Sequence, residues 1–292
     1  MDRVDEFHYQ LPRRFGGWRP GAQRGLSQGS GQEFAAHRRL FDHPDPRRID
    51  LRASVRDGHG DWLVRIHRLR VAIPVHMVVD VSASMHFGAE RRKLDVVADL
   101  VEALGYSAFR AGDTVGLLAF DQREREDLLV PARHSRGNGS LMAKILRECR
   151  ATPGATPSDD SALAGLRRAT ERLVSRGGLV FLASDFHWPV AALGELLPQF
   201  APACVVPLVV WDPAETEPPD ARAALVALSD AETGSRRSLW MRDSLRTRWR
   251  NAVAARRAEL TDLFNAHGMP PFHLHGRFDA EALTRYFMET TA

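Results

Sequence analysis

The sequence predicts an α/β fold, a doubly wound and mostly parallel sheet with an N-terminal arm and a β-rich flank, and three observations carry that reading. The apolar runs at residues 75–79 and 179–183 each lead directly to an acid, Asp80 and, one serine later, Asp185. Buried strands of a parallel sheet read as such runs, and their C-terminal ends bring polar groups to the crevice where open sheets bind ligands. Between the two runs stand a helical spacing and a third apolar run, residues 115–120. Strand, helix, strand in that order predicts a right-handed crossover. A chain of 292 residues suffices for one large domain with an elaborated flank. The expected division is residues 1–70 as arm and β-containing flank and residues 71–292 as the α/β domain.

The first 25 or so residues, with Pro12, Gly16, Gly17, Pro20 and Gly21, show no sustained period and are expected to lie as an extended arm. Gly25, Gly29 and Gly31 follow no apolar strand and precede no Gly-Lys-Ser/Thr, so a phosphate loop is not expected there. Residues 62–71 alternate apolar and basic side chains, the pattern of a half-exposed strand. Leu94, Val97, Leu100, Val101, Leu104 and Phe109 mark a helix over residues 90–110, with Gly112 beyond its end. Asp113 precedes its strand, belongs to the end of the sheet opposite Asp80, and is expected to serve a turn or cap.

Residues 121–138 read as a loop or short hairpin and residues 141–149 as a helix; Leu163, Leu166, Ala169 and Leu173 mark another helix. Residues 203–211 form a further buried strand in which Pro207 argues for a position near an edge or bulge. Two short strands are expected about a turn at residues 230–234, then a long helix over residues 242–267 ended by Gly268, Pro270 and Pro271. A last strand near His273 and a helix over residues 279–288 close the chain. His273 and His275 read as strand residues rather than metal ligands.

Apolar residues make up 44% and charged residues 26% of the chain, ordinary for a soluble globular protein. No run approaches the roughly 18 to 20 apolar residues of a membrane span, and the opening MDRVDEFHYQLPRR has no apolar signal core, so a cytoplasmic protein is expected. Cys149 and Cys204 are too few for a disulfide framework and lack metal-ligand spacing; both read as small buried residues. The formal charge of +3 conceals an asymmetry, because residues 1–70 hold 14 Arg and no Lys against 9 Asp plus Glu. That basic surplus lacks the interleaved aromatics and motifs of a nucleic-acid binder, so nucleic acid is not an expected partner.

The chemistry is concentrated after the first apolar run. Asp80, Ser82 and Ser84 stand at alternate positions and place one carboxylate and two hydroxyls near one point in the turn that follows. All are hard oxygen donors, the set that Mg²⁺ or a similar divalent cation takes. The competing reading is that they cap the next helix. Thr156, in the loop before the helix of Leu163, is either a further hydroxyl donor or a helix cap, although Ser158 and Asp159 stand nearer that helix. Two strands ending in aspartate with a hydroxyl loop between them in sequence can converge at one crest.

Asp80, Ser82 and Ser84, then Thr156 in Gly-Ala-Thr-Pro, then Asp185 in Leu-Ala-Ser-Asp-Phe resemble in order and spacing the metal-site segments of von Willebrand factor A (VWA) domains. With Gly-Gln-Glu-Phe, Gly-Asp-Thr-Val-Gly-Leu-Leu-Ala-Phe and Ser-Asp-Ala-Glu-Thr-Gly, the chain from about Gly25 resembles the VWA-like proteins of the DUF58 type encoded beside MoxR-type AAA+ ATPases. It is similar to the short soluble members, including those of methanol-oxidation gene clusters. The resemblance implies a metal-ion-dependent adhesion site in which Ser82, Ser84 and Thr156 are direct ligands and Asp80 and Asp185 hold coordinated waters, an acidic side chain of the partner taking the open position. It implies a metal-dependent adaptor or co-chaperone that works with a MoxR-type ATPase to assemble, activate or load metal into a client protein. Gly-Ala-Thr stands where Gly-Gly-Thr is commoner, a departure that leaves Thr156 in place.

Binding rather than catalysis is therefore expected. The alternative is a hydrolase or phosphatase using Asp80 and Ser82, but no Gly-x-Ser-x-Gly elbow is present and position 82 is not a second aspartate. A further alternative recruits Zn²⁺ through His86 and His187, each just beyond one of the two strands.

Overall fold

A computed structural model describes residues 5–17, 19–29, 33–151, 159–173, 177–201, 203–219, 225–229 and 236–291. Its central element is a six-stranded sheet. β4 (Pro74–Asp80) lies at its middle, β5 (Thr114–Phe120) and β6 (Val130–Arg133) follow to one side, and β7 (Leu179–Ser184), β8 (Cys204–Trp211) and β11 (Phe272–His275) follow to the other. All neighbours pair in parallel except β5 with β6. A second sheet joins β1 (Pro20–Gly29), β3 (Leu63–Val71) and β2 (Glu33–Arg39) antiparallel in that order, and β9 (Leu225–Ser229) with β10 (Arg236–Trp240) makes an antiparallel pair. The fold is thus mixed α/β with a mostly parallel main sheet, as the apolar runs imply.

Side chains that alternate along the strands sort into two cores. Val75, Met77 and Val79 of β4 face α2 (Lys93–Ala111), α3 (Asn138–Glu148) and α8 (Ala280–Thr291), while Val78 faces α4 (Asp159–Glu171), α5 (Val190–Leu196) and α7 (Asp243–Ala266). The short α1 (Leu51–Arg56) lies against the flank sheet and α6 (Pro213–Thr216) follows β8. Helices on both faces bury both sides of the strands, which is why the strands are apolar without alternation. α2 and α3 cross where two glycines meet: a Cβ on Gly105 would lie 2.2 Å from the Gly139 Cα. Only hydrogen fits at that crossing.

The arm is ordered by burial rather than by secondary structure. Phe7, Tyr9 and Leu11 join the first core, and the Tyr9 hydroxyl donates to Asp113 Oδ2 at 2.6 Å while the Ile73 N–H donates to Oδ1 at 2.8 Å. Asp113 does lie at the end opposite Asp80, but it is a buried anchor for arm and strand rather than a simple turn residue. Pro207 lies near an edge, as expected, since β8 is the strand next to the edge strand β11. β11 pairs with β8 only from Leu208 onward, so the proline sits where one flank of its strand has no β11 partner.

Replacing Gly105 with alanine is expected to cost about 2–3 kcal/mol, the cost of forcing two helices apart. The midpoint of urea unfolding checks it. An unchanged midpoint would refute the close crossing.

Candidate functional site

Four adjacent parallel strands each deliver an aspartate to the same edge: Asp80 after β4, Asp121 after β5, Asp185 after β7 and Asp212 after β8, at 2, 6, 2 and 4% exposure. Two of them are occupied locally. Asp121 accepts from the Arg123 N–H and pairs with Arg125, and Asp212 caps α6 in a reciprocal capping box with Glu215. The other two, Asp80 and Asp185, flank the point where chain order reverses, with β5 following β4 one way and β8 following β7 the other. Ligands of open α/β sheets bind at that switch point.

A continuous polar chain joins these two strand ends. Asp80 Oδ1 accepts the Ser82 N–H at 2.9 Å and Oδ2 accepts the Ser184 hydroxyl at 2.7 Å. The Ser82 and Ser84 hydroxyls stand 3.3 Å apart, and Ser84 hydrogen-bonds Asp185. Burial first and the charge of Asp185 second push the Asp80 carboxyl up to about 7, against hydrogen bonds from Ser82 and Ser184 that pull it down.

Asp185 has a different environment because Lys93 reaches it. The Lys93 ammonium, 2% exposed on its side chain, donates to Asp185 Oδ2 at 2.8 Å and to Glu215 Oε1 at 2.7 Å. Burial raises the Asp185 carboxyl, but the charges of His187 and Lys93 outweigh it and hold the group below its usual range. Burial likewise works against the Lys93 ammonium, and its two carboxylates outweigh that and raise it. A lysine at the first residue of a helix opposes the helix dipole, so these two carboxylates are what keep it there.

The turn after β7 is strained. Phe186 has φ 52°, left-handed backbone for a bulky residue, held by its N–H to Ser184 Oγ at 3.0 Å and by Arg256, which donates to the carbonyls of Phe186 at 2.6 Å and of Trp188. That turn aims His187 into a cleft of about 360 Å³ walled by Trp211, Trp249 and Val253, with Glu215 and Arg256 beside them. His187 Nδ1 is 3.7 Å from Asp185 Oδ2, so cleft and crest share an edge.

The model of a protein family described as "Protein of unknown function DUF58" matches residues 39–259. The chain belongs to the DUF58 family. Among curated relatives, the uncharacterized protein Mb1516 of Mycobacterium bovis is 29% identical over 253 residues, covering 86% of this chain and 76% of that protein. The uncharacterized protein MAV169 of Mycobacterium avium is 33% identical over 141 residues, covering 48% of this chain and 80% of that one. Among solved structures, an aerotolerance-related membrane protein from Bacteroides fragilis aligns at 14% identity over 75% of this chain and 98% of that one, TM-score 0.42. BatB from Bacteroides thetaiotaomicron aligns at 11% identity over the same shares, TM-score 0.37.

In this DUF58 chain the structure brings together Asp80, Ser82, Ser84 and Asp185, four of the five residues expected from sequence. The fifth, Thr156, lies outside the described residues. The His86 ring bonds to the Val81 backbone, and His187 neighbours Asp185. Counting His, Cys, Asp and Glu alone, no three among the described residues stand close enough to hold an ion, so any cation here depends on the serine hydroxyls. Sequence reading passed over Lys93, Ser184 and the aromatic cleft. Lys93 did leave a signal, as one of two lysines in a chain otherwise served by arginine. The compact ammonium suits a buried position between two carboxylates better than the wide guanidinium.

Lys93→Met is expected to destabilise the fold by about 3–5 kcal/mol, since it leaves two carboxylates without their buried counter-charge. Denaturant unfolding measures it, and a loss below about 1 kcal/mol would mean the pair is solvent-screened. Asp80 adds a pH dependence of its own. Its folded value is raised to about 7 from 3.8. Between those pH values the native state therefore holds a proton that the unfolded chain has released, and the group's contribution falls as pH rises, by about 1.4 kcal/mol per unit. The difference in unfolding free energy between wild type and Asp80→Asn should slope across that window; parallel curves would rule the shift out.

Proposed function

We propose that this protein is a divalent-cation-dependent protein-binding adaptor whose recognition point is the Asp80–Asp185 crest. One observation carries the reading: a buried carboxylate, Asp80, which has no basic partner among the described residues, stands among serine hydroxyls at the switch point of a parallel sheet. The donors fit Mg²⁺ or a similar hard cation, which takes oxygen ligands and retains waters. Asp80, Ser82 and Ser84 would hold it with Asp185 behind them, and Thr156 is the fifth donor by family resemblance. When bound, the cation supplies a Lewis-acidic position for a carboxylate from outside. The protein's own residues do the rest. Asp80 and Ser184 orient the hydroxyl turn, Lys93 neutralises Asp185, and the Trp211 and Trp249 walls give a neighbouring apolar side chain of the partner a place to settle.

The partner we propose is a MoxR-type AAA+ ATPase, with an acidic side chain completing the metal site and a client protein as the object of their joint action. In this reading the VWA-like crest recognises and the ATPase supplies the work. The methanol-oxidation setting is one context in which such a client would be assembled or loaded with metal. No helix among the described residues is long and apolar enough to cross a membrane.

A hydrolase or phosphatase reading has one observation in its favour, since Asp80, raised to about 7, lies beside the Ser82 hydroxyl like a general base. Assay of phosphate and carboxylate esters with Asp80→Asn as control decides it.

The main test is a pull-down of the purified protein against the proposed MoxR-type ATPase partner with Mg²⁺, with EDTA, and with the Asp80→Ala/Ser82→Ala double variant. Retention is expected only with the metal and the intact crest, falling at least about tenfold otherwise. Retention indifferent to EDTA and to both substitutions would place the contact elsewhere and sink the proposal.

A further inference from the structure

The end of the molecule away from the crest carries a different kind of site. α8 follows β11 and runs back along the sheet, so its last turns meet the arm and the flank sheet. There a cavity of about 520 Å³ is lined by His8, Tyr9, Gln10, Arg24, Arg70 and Phe287 among others, and no carboxylate is among the described residues that line it. Arg24 and Arg70 are cross-strand partners in the β1–β3 ladder, so their side chains leave the same face side by side. Like charges directly opposite each other destabilise a ladder. Two residues back on that face, Arg68 stands opposite Glu33 of β2, the ordinary arrangement. Arg70 faces an arginine instead, and among the described residues neither Arg24 nor Arg70 forms an ion pair.

We propose that this cleft binds a phosphate group carried on a small organic molecule. Two guanidinium forks on adjacent strands, both lining the cleft, match the several oxygens of a phosphate dianion, and His8 on the rim adds a third donor. The cavity is far larger than a bare phosphate, and Tyr9 and Phe287 offer the attached body an apolar wall. An anion between the two arginines turns their mutual repulsion into shared attraction, which accounts for a pairing the fold would otherwise avoid. The site is independent of the crest and stands whether or not the crest holds a cation.

The test is calorimetric titration of the full chain with glycerol 3-phosphate and, separately, with inorganic phosphate, at an ionic strength held constant with chloride. Wild type should bind the ester with a Kd of about 1 mM or below, while Arg24→Gln and Arg70→Gln weaken it at least tenfold, about the loss of one charge-assisted hydrogen bond; Arg68→Gln should stay within about twofold. Inorganic phosphate binding at the same arginines, more weakly than the ester, supports the assignment. Thermal melts give a second reading. Without phosphate, Arg70→Gln should melt no lower than wild type because the repulsion is gone, and with about 20 mM ester only wild type should rise, by a few degrees. No heat and no rise, or a rise equal in all variants, overturns the proposal. So does an Arg70→Gln melt several degrees below wild type without ligand, which would mean that the arginines serve the C-terminal carbonyls of α8. Capture by phosphatidic acid vesicles that soluble ester fails to compete would overturn it in favour of a membrane surface.

Discussion

The ion pair that Lys93 makes with Asp185 and Glu215 is the contact on which the crest depends. Two aspartates end adjacent parallel strands because the topology leaves a crevice there, and a low-dielectric crevice cannot hold two bare carboxylates. The ammonium settles one of them. It also helps to set them apart: the charges of His187 and Lys93 hold Asp185 ionised, while burial and the charge of Asp185 push Asp80, which has no basic partner among the described residues, towards the neutral form. Two chemically identical groups thus become a fixed anion and a group whose charge depends on what arrives.

The same ammonium extends the crest sideways. Glu215 belongs to α6, its backbone carbonyl accepts the Trp249 indole N–H at 2.8 Å, and the Trp211 indole donates to the Asp185 carbonyl at 2.9 Å. Both walls of the cleft are therefore hydrogen-bonded to the residues that flank Lys93. The left-handed Phe186 sits at the joint between them, and Arg256 holds its carbonyl from α7. A strained turn of this kind persists when its surroundings over-determine it. Here they do so through one serine and one arginine, and the result is a histidine presented beside a buried acid.

Much of this was legible in the chain. The apolar runs ending in Asp80 and Asp185, the helical spacing after Ser84 and the short strand pair near residues 226–240 follow from local patterning, and they fall where patterning puts them. What escaped was tertiary. The arm has no period because it packs one side chain at a time, Phe7, Tyr9 and Leu11, into a core supplied by distant residues. Pro207 signals a nearby edge, but a sequence cannot say that the edge strand β11 starts to pair only at Leu208. Ser184 reads as one more residue of a buried strand until register sets it beside Asp80. Lys93 was hidden by its position at a helix start, where charge is common, and its partners lie 92 and 122 residues away.

The distribution of charge separates the two ends of the sheet. At the C-terminal ends of the strands acids crowd, four of them within four neighbouring strands, and the compensating cations are few and committed: Lys93 to Asp185, Arg125 to Asp121 and Asp127. At the other end Arg24 and Arg70 face each other with no ion-pair partner among the described residues, and the buried Asp113 there is taken up by Tyr9 and the Ile73 N–H. Arg70 is exposed and Arg24 half-buried, so the pull on a counter-ion there comes from two like charges placed side by side rather than from desolvation. On the two proposals made above, one edge of this sheet would take a cation and the other an anion. Short of their C-terminal ends β4, β5, β7 and β8 carry no Asp, Glu, Lys or Arg, so no formal charge within these strands links the two edges.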